Sequence, residues 1–191
     1  TVAKGAAWTV PAIVVAAPAA SAASSPPEEP PPPTFEWLNA YKNPGGSCES
    51  PCVPKQSYGV PVVLSNPTVE DFQIQFTSYL VEVNAQGGGG TSLGVFGVTA
   101  GVGSTPAACV ALSTGCTPAC GGPPDDYATH AVCVPAGTTN LTVYVTSNTK
   151  GNSSQASQRV DYRWVRKSTC EITDEDFRFS PTSPPNDIPG C

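Results

Sequence analysis

The sequence predicts an all-β protein, a sandwich stapled by disulfides, and three observations carry that expectation. Charged residues make up only 13 % of 191, and 18 glycines and 22 prolines punctuate the chain. A helical bundle needs far more Leu, Glu and Lys than this. Several runs of strand length alternate apolar and polar residues and favour Val, Thr and aromatic side chains. Eight cysteines, an even number, stand at Cys48, Cys52, Cys109, Cys116, Cys120, Cys133, Cys170 and Cys191.

The elements follow in order. Thr34 to Leu38 reads as a first strand or a short turn of helix, and Pro44 to Pro54 as a cysteine-bearing loop. Tyr58 to Leu64 is a strand ended by Ser65-Asn66-Pro67. Phe72-Gln73-Ile74-Gln75-Phe76 alternates strictly and continues through Tyr79 to Val83. Gly87 to Gly90 is a turn, after which Leu93 to Val98 resumes as a strand whose glycines permit a bulge. Residues 100–126 are irregular, and so long a stretch inside a domain needs a staple or a function; its cysteines offer the staple. Thr129 to Val134, Leu141 to Thr146 and Val160 to Val165 complete seven or eight short strands separated by turn signals. That count points to an immunoglobulin-like β-sandwich. The antibody pattern of two cysteines flanking a core Trp is not evident, so the likeness is one of architecture.

The cysteines read as a disulfide framework formed in an oxidising compartment. Zinc would need two matched thiolate pairs. Cys48 with Cys52 and Cys116 with Cys120 offer the spacing, yet that would leave four other thiols reactive. Spacing alone does not choose among 105 connectivities. Pairs 48–52 and 116–120 require tight turns; Cys109 with Cys133 would close a loop, and Cys170 with Cys191 would pin the end of the chain.

The formal charge of −6 excludes a sequence-independent nucleic-acid binder, which must neutralise phosphates with clustered Lys and Arg. No catalytic constellation emerges. His130 is the only histidine, no nucleophile elbow accompanies it, and a lone strand histidine is usually structural. Of the acidic groups, Glu28-Glu29, Glu70-Asp71, Asp125-Asp126 and Asp174-Glu175-Asp176, the last lacks the alternation and central Gly of a calcium loop, and adjacent acids on a loop usually just solvate it. Gly87–Gly90 is followed by no Lys-Ser/Thr, against a phosphate cradle. Asn140-Leu141-Thr142 and Asn152-Ser153-Ser154 match the N-glycosylation pattern and read as chance matches. The sequence therefore predicts no enzyme, cofactor or metal.

The first 23 residues form an apolar segment carrying one charge, Lys4. Three readings compete for it. As a transmembrane helix it is poor, because Pro11 and Pro18 interrupt an alanine-rich run. As a strand it is apolar on both faces: Trp8, Val10, Ala12, Val14 and Ala16 point one way, and Thr9, Pro11, Ile13, Val15 and Ala17 the other. The third reading is an uncleaved precursor, or a segment packed within its own subunit. The stretch TVAKGAAWTVPAIVVAAPAASA, with Ala20-Ser21-Ala22 at its end, has the layout of an export signal. It resembles the export segments of actinobacterial cell-surface proteins, in which a pair of arginines commonly precedes such a run. No arginine pair stands here. The resemblance covers 22 of 191 residues and implies secretion to the cell surface, where a pilus-like filament subunit is one role.

A linker over 24–34 follows, with six prolines that favour polyproline II; its core over 26–33 would span ~25 Å. The sandwich is expected over 35–173, and an acidic, proline-rich tail over 174–191, with Phe177 and Phe179 able to dock on the domain. The leading functional expectation is a structural subunit of an extracellular filament or surface coat. Its polymerisation strand, residues 6–19 with Trp8, Val10, Ala12, Ile13, Val14, Val15 and Ala16, would insert into a neighbour. The partners are then copies of the same chain, with room for a contact with the cell envelope. The rival expectation is a monomeric secreted or surface-anchored binding domain, an adhesin using loops such as 100–126. One feature weighs against strand donation: the strands suffice for a complete sandwich.

Overall fold

Two β-sheets pack face to face in this computed structural model, which describes residues 28–43, 54–100, 112, 114–120, 130–150, 156–180 and 186–187. One sheet holds β1 (Thr34–Phe35), β2 (Tyr41–Lys42), β3 (Tyr58–Asn66), β6 (Val95–Thr99), β8 (Thr138–Ser147) and β11 (Asn186–Asp187). The other holds β4 (Phe72–Val81), β5 (Thr91–Ser92), β7 (Ala131–Val134), β9 (Gln158–Arg166) and β10 (Glu171–Ser180). All pairings are antiparallel except the short β2–β11 contact. The first sheet runs β11-β2-β3-β8-β6, with β1 beside β2 on the same edge of β3. The second runs β10-β9-β4, with β5 and β7 sharing the far edge of β4. These are the A-B-E-D and G-F-C orders of an immunoglobulin-like sandwich, as the strand count predicts.

The core is the set of inward residues that alternation selects. Val60, Val62 and Leu64 of β3, Phe72, Ile74 and Phe76 of β4, Val143 and Val145 of β8, and Val160, Tyr162 and Trp164 of β9 are all buried. Trp164 meets Phe72 edge to face, centroids 6.4 Å apart. In β4 the inward series shifts from even to odd numbers after Phe76, continuing at Tyr79 and Val81. A bulge between Phe76 and Ser78 accounts for the shift, because one extra residue restores the apolar face to the core.

The first strand divides for a local reason. Pro61, in the middle of β3, accepts from the Glu36 amide at 2.9 Å, so its carbonyl and its missing N–H both face the β1–β2 edge. Without a donor there, the pairing strand breaks into β1 and β2, joined by a single 3-10 turn over Trp37–Asn39. Strand and helical turn, read as alternatives for 34–38, thus both occur. Gly59 leaves space for the Tyr41 ring, which a Cβ would strike. The Tyr41 hydroxyl crosses it to Thr146 Oγ1 at 3.1 Å.

Two expected boundaries are corrected. The sandwich does not end at residue 173: β10 pairs with β9 from Glu171 to Ser180, so the acidic run and both phenylalanines belong to a sheet strand rather than a tail. Nor is the linker wholly a free spacer. Pro30 and Pro33 are buried while Pro31 and Pro32 are exposed. Polyproline II repeats every three residues, so this spacing seats one face of the linker on the domain before Thr34 enters β1. The apolar segment 1–23 lies outside the described residues.

Candidate functional site

Two features set what the domain presents: a strap stapled across one sheet face, and sheet edges of contrasting chemistry. The strap is residues 114–120. Gln73 and Gln75 point away from the core on β4, where alternation predicts exposed polar side chains, yet both are buried. The strap covers them. Gln73 and Gln75 donate to the Cys120 carbonyl at 2.5 and 2.7 Å, and Gln73 Oε1 accepts from the Ala119 and Cys120 amides at 2.9 and 3.1 Å. Arg163 Nε donates to Gln75 Oε1 at 2.6 Å, extending the network to β9.

Disulfides hold the strap at both ends. Cys116 pairs with Cys133 on β7, and Cys120 with Cys170 in the turn between β9 and β10. These bonds correct three of the expected pairings: 116–120, 109–133 and 170–191. The reason is topological, since β7 and the β9–β10 turn flank the face that the strap crosses. Cys48, Cys52, Cys109 and Cys191 lie outside the described residues, and no cysteine among the described ones is free. Two formed disulfides fit an oxidising, extracellular environment. No helix among the described residues is long and apolar enough to cross a membrane.

β10 is an edge strand ten residues long. Its pairing with β9 places Asp174, Asp176 and Arg178 opposite Trp164, Tyr162 and Val160, on the inward side of the sheet. Inward-pointing charge is a known guard against edge-to-edge pairing. Arg178 pairs with Asp176, which holds the Asp176 carboxyl below the usual carboxylate range and raises the guanidinium. Its guanidinium carbon lies 5.6 Å from the Tyr162 ring centre, and burial pushes the Tyr162 phenol up to about 12. On the outward side, Arg159 covers Phe177 at 3.8 Å, donates to the Gly87 carbonyl at 2.9 Å and pairs with Asp161 at 2.6 Å. Phe177 and Phe179 pack against Gly87, whose φ of 76° and close rings exclude a Cβ. Alternation over Phe177-Arg178-Phe179 is a strand signal, masked by the acidic run before it.

β6 differs. Its sequence, VFGVT, carries no charge. Phe96 is 37 % exposed, and Val98 packs on the core while remaining only partly buried. An added Cβ at Gly97 would meet nothing within 4 Å. Among the described residues no strand pairs with the outer edge of β6 or of β10.

The other candidates separate. His130 sits partly exposed immediately before β7. Glu70 and Asp71 pair with Arg166 and Lys167 at 3.0 and 3.6 Å, tying the start of β4 to the end of β9. Asp71 also lies near Cys116 and Cys133, but those sulfurs are bonded to each other and offer no thiolate to a metal. In the glycine turn, Asn84 Oδ1 accepts from the Gln86 and Gly88 amides at 2.9 Å, so they do not form an open anion cradle. Asn140 is exposed on β8 at a φ of 53°. Asp125, Asp126, Asn152 and the polymerisation strand, Trp8, Val10, Ala12, Ile13, Val14, Val15 and Ala16, lie outside the described residues. Comparison with known proteins finds no matching protein family, no matching curated protein and no matching solved structure.

Proposed function

We infer that this protein is a structural subunit of an extracellular filament or surface coat, assembling with copies of itself through residues 6–19. The observation that supports this reading most is the pairing of a charge-free, two-faced apolar segment with a domain whose edge strand β6 is short and uncharged and has no strand on its outer side among the described residues. The linker ends in β1, within a sheet, so the segment is tethered to a fixed place on the domain. A strand apolar on both faces is unstable in water and gains main-chain hydrogen bonds and burial when added to a sheet edge. No enzymatic role is assigned.

The test is microscopy of the native secreted material, with N-terminal sequencing of its subunits. Filaments whose subunits retain residues 6–19 are expected. Deleting residues 1–19 should leave the domain folded and abolish assembly; filaments formed by the deleted chain would refute strand donation. A native subunit that begins after residue 22 and stays monomeric would favour a binding domain or adhesin.

A further inference from the structure

We propose that the outer face of the β4–β9–β10 sheet carries a binding site for a neutral saccharide, in a cavity lined by Thr77, Arg159, Asp161, Glu175, Asp176 and Phe177. Such a site goes beyond assembly, since it would hold the domain to a glycan whether or not the chain polymerises.

Strand register brings the lining together. On the outward face Glu175 lies opposite Arg163 and Phe177 opposite Asp161, with Phe179 opposite Arg159. Thr77 is the extra residue of the β4 bulge between Phe76 and Ser78, beside the Ser78–Asp161 pair. A bulge re-aims a side chain, which is one way a site is built on a sheet. The strap covers this face at Gln73 and Gln75, and the glycine turn packs on it at Phe177 and Phe179. The cavity, about 260 Å³, lies in the rows between.

Its polar groups are fixed and have capacity to spare. Arg159 is held by three contacts: Nε to Asp161 Oδ1 at 2.6 Å, Nη1 to the Gly87 carbonyl at 2.9 Å, and the guanidinium 3.8 Å from the Phe177 ring centre. A guanidinium carries five N–H donors, so most of them remain. Asp161 accepts on Oδ1 and keeps Oδ2. The Thr77 hydroxyl and the Glu175 carboxylate make no hydrogen bond or ion pair among the described residues. The Arg159 and Asp161 side chains are only 23 % and 25 % exposed, so a hydrogen bond made to them is stronger than one in open water.

That combination selects the ligand. An anion would meet the carboxylates of Asp161, Glu175 and Asp176, and a bare cation would meet the Arg159 guanidinium. An apolar molecule would strip water from these groups and return no hydrogen bond. A sugar hydroxyl donates and accepts at once, so two neighbouring hydroxyls satisfy a carboxylate oxygen and a guanidinium N–H together. The C–H face of the ring would lie against Phe177. The volume is small for a ligand site and suits one ring, with the rest of a chain left in solvent.

The experiment uses the full chain. Methyl glycosides of glucose, galactose, mannose, arabinose and xylose serve as free probes, and the corresponding soluble polysaccharides form a second arm. Saturation-transfer NMR reads the glycosides, affinity electrophoresis reads the polymers, and circular dichroism confirms folding. At least one glycoside is expected to bind, at the millimolar affinity that a single small ring allows. Thr77→Ala and Asp161→Asn should each weaken that binding at least tenfold. Glu171→Gln, on the same sheet but outside the cavity, should leave it unchanged. Thr77→Ala removes a hydroxyl that holds nothing in the fold, so it decides the matter even if Asp161→Asn releases Arg159 and unfolds. Tighter retention by a polymer than by its free ring would assign the site to a glycan chain, and equal binding to a free sugar; either result supports it. No binding to any glycoside or polymer, or binding that Thr77→Ala leaves unchanged, would overturn the site. So would binding of cadaverine in place of every sugar, because the carboxylates would then be holding a cation.

Discussion

Breaking the Cys120–Cys170 bond tests how much the strap contributes to the domain. The bond joins residues 50 apart, whereas Cys116–Cys133 joins residues 17 apart. Loop-closure entropy removed from the unfolded chain is worth about 4 kcal/mol for the first and about 3 kcal/mol for the second. The Cys120→Ala/Cys170→Ala double variant keeps the other staple and the bonds from Gln73 and Gln75 to the strap. Its loss therefore falls mainly on the unfolded state. In a domain of this size about 4 kcal/mol lowers the melting temperature by about 8–16 °C. Urea unfolding followed through the buried Trp164 should show the midpoint fall, with a larger m-value because the unfolded chain is less constrained. Hydrogen exchange gives an independent reading, since the Ala119 and Cys120 amides bonded to Gln73 should exchange faster. A variant within about 1 kcal/mol of the parent, with m unchanged, would refute the loop-entropy argument.

Two further outcomes follow from buried polar groups. Burial pushes the Tyr41 phenol from its ordinary value of 10.0 to about 12. Stability is then fully present below pH 10 and is lost as pH rises through 12, by about 3 kcal/mol from this group. The Tyr41→Phe variant should lose one proton's worth of slope in a denaturation series from pH 9 to pH 12; an unchanged slope would show that Tyr41 does not carry it. Asn66 is fully buried and donates to the Glu70 and Val134 carbonyls, both at 2.8 Å, while accepting from the Thr68 amide and hydroxyl. Asn66→Ala removes the partner of the Val134 carbonyl and the Thr68 amide, while the Glu70 carbonyl still accepts from the Thr68 hydroxyl at 3.0 Å, and should cost about 2–4 kcal/mol in chemical denaturation, whereas a loss under about 0.5 kcal/mol would mean that water replaces the side chain.

The inward residues of β3, β4, β8 and β9 are legible because a half-buried strand repeats every two residues, and only the core side of that repeat is apolar. The same rule misleads at Gln73 and Gln75. Their polarity marks a face that is solvated in most antiparallel sheets, and it says nothing of a strap arriving from 45 to 47 residues downstream. Cystine pairing is hidden for a similar reason. Cys116 and Cys120 are neighbours in sequence, but they are drawn to opposite flanks of one sheet by β7 and by the β9–β10 turn. β10 eluded the pattern because its charges point inward, reversing the usual polarity of an alternating strand. At Pro61 the sequence held a signal, a strand proline, whose consequence fell on the neighbouring strand rather than on its own.

How the proposed assembly would grow follows from where the linker joins the domain. It enters at β1, inside a sheet, with Pro30 and Pro33 buried against the fold. In the proposed filament the donor is the segment 6–19 and the acceptor is a surface of a folded domain, so the two are different surfaces of one subunit. A contact of that kind is heterologous, and each added copy would present an unfilled acceptor to the next. Closure into a two-fold dimer would require each segment to reach the other's acceptor at once, whereas growth without closure would yield a fibre with two unlike ends. Labelled chains that lack residues 1–19, mixed with parent chains, should then cap filaments at one end only. Such chains keep an acceptor and lack a donor strand, so labels at both ends would show that the contact is symmetric.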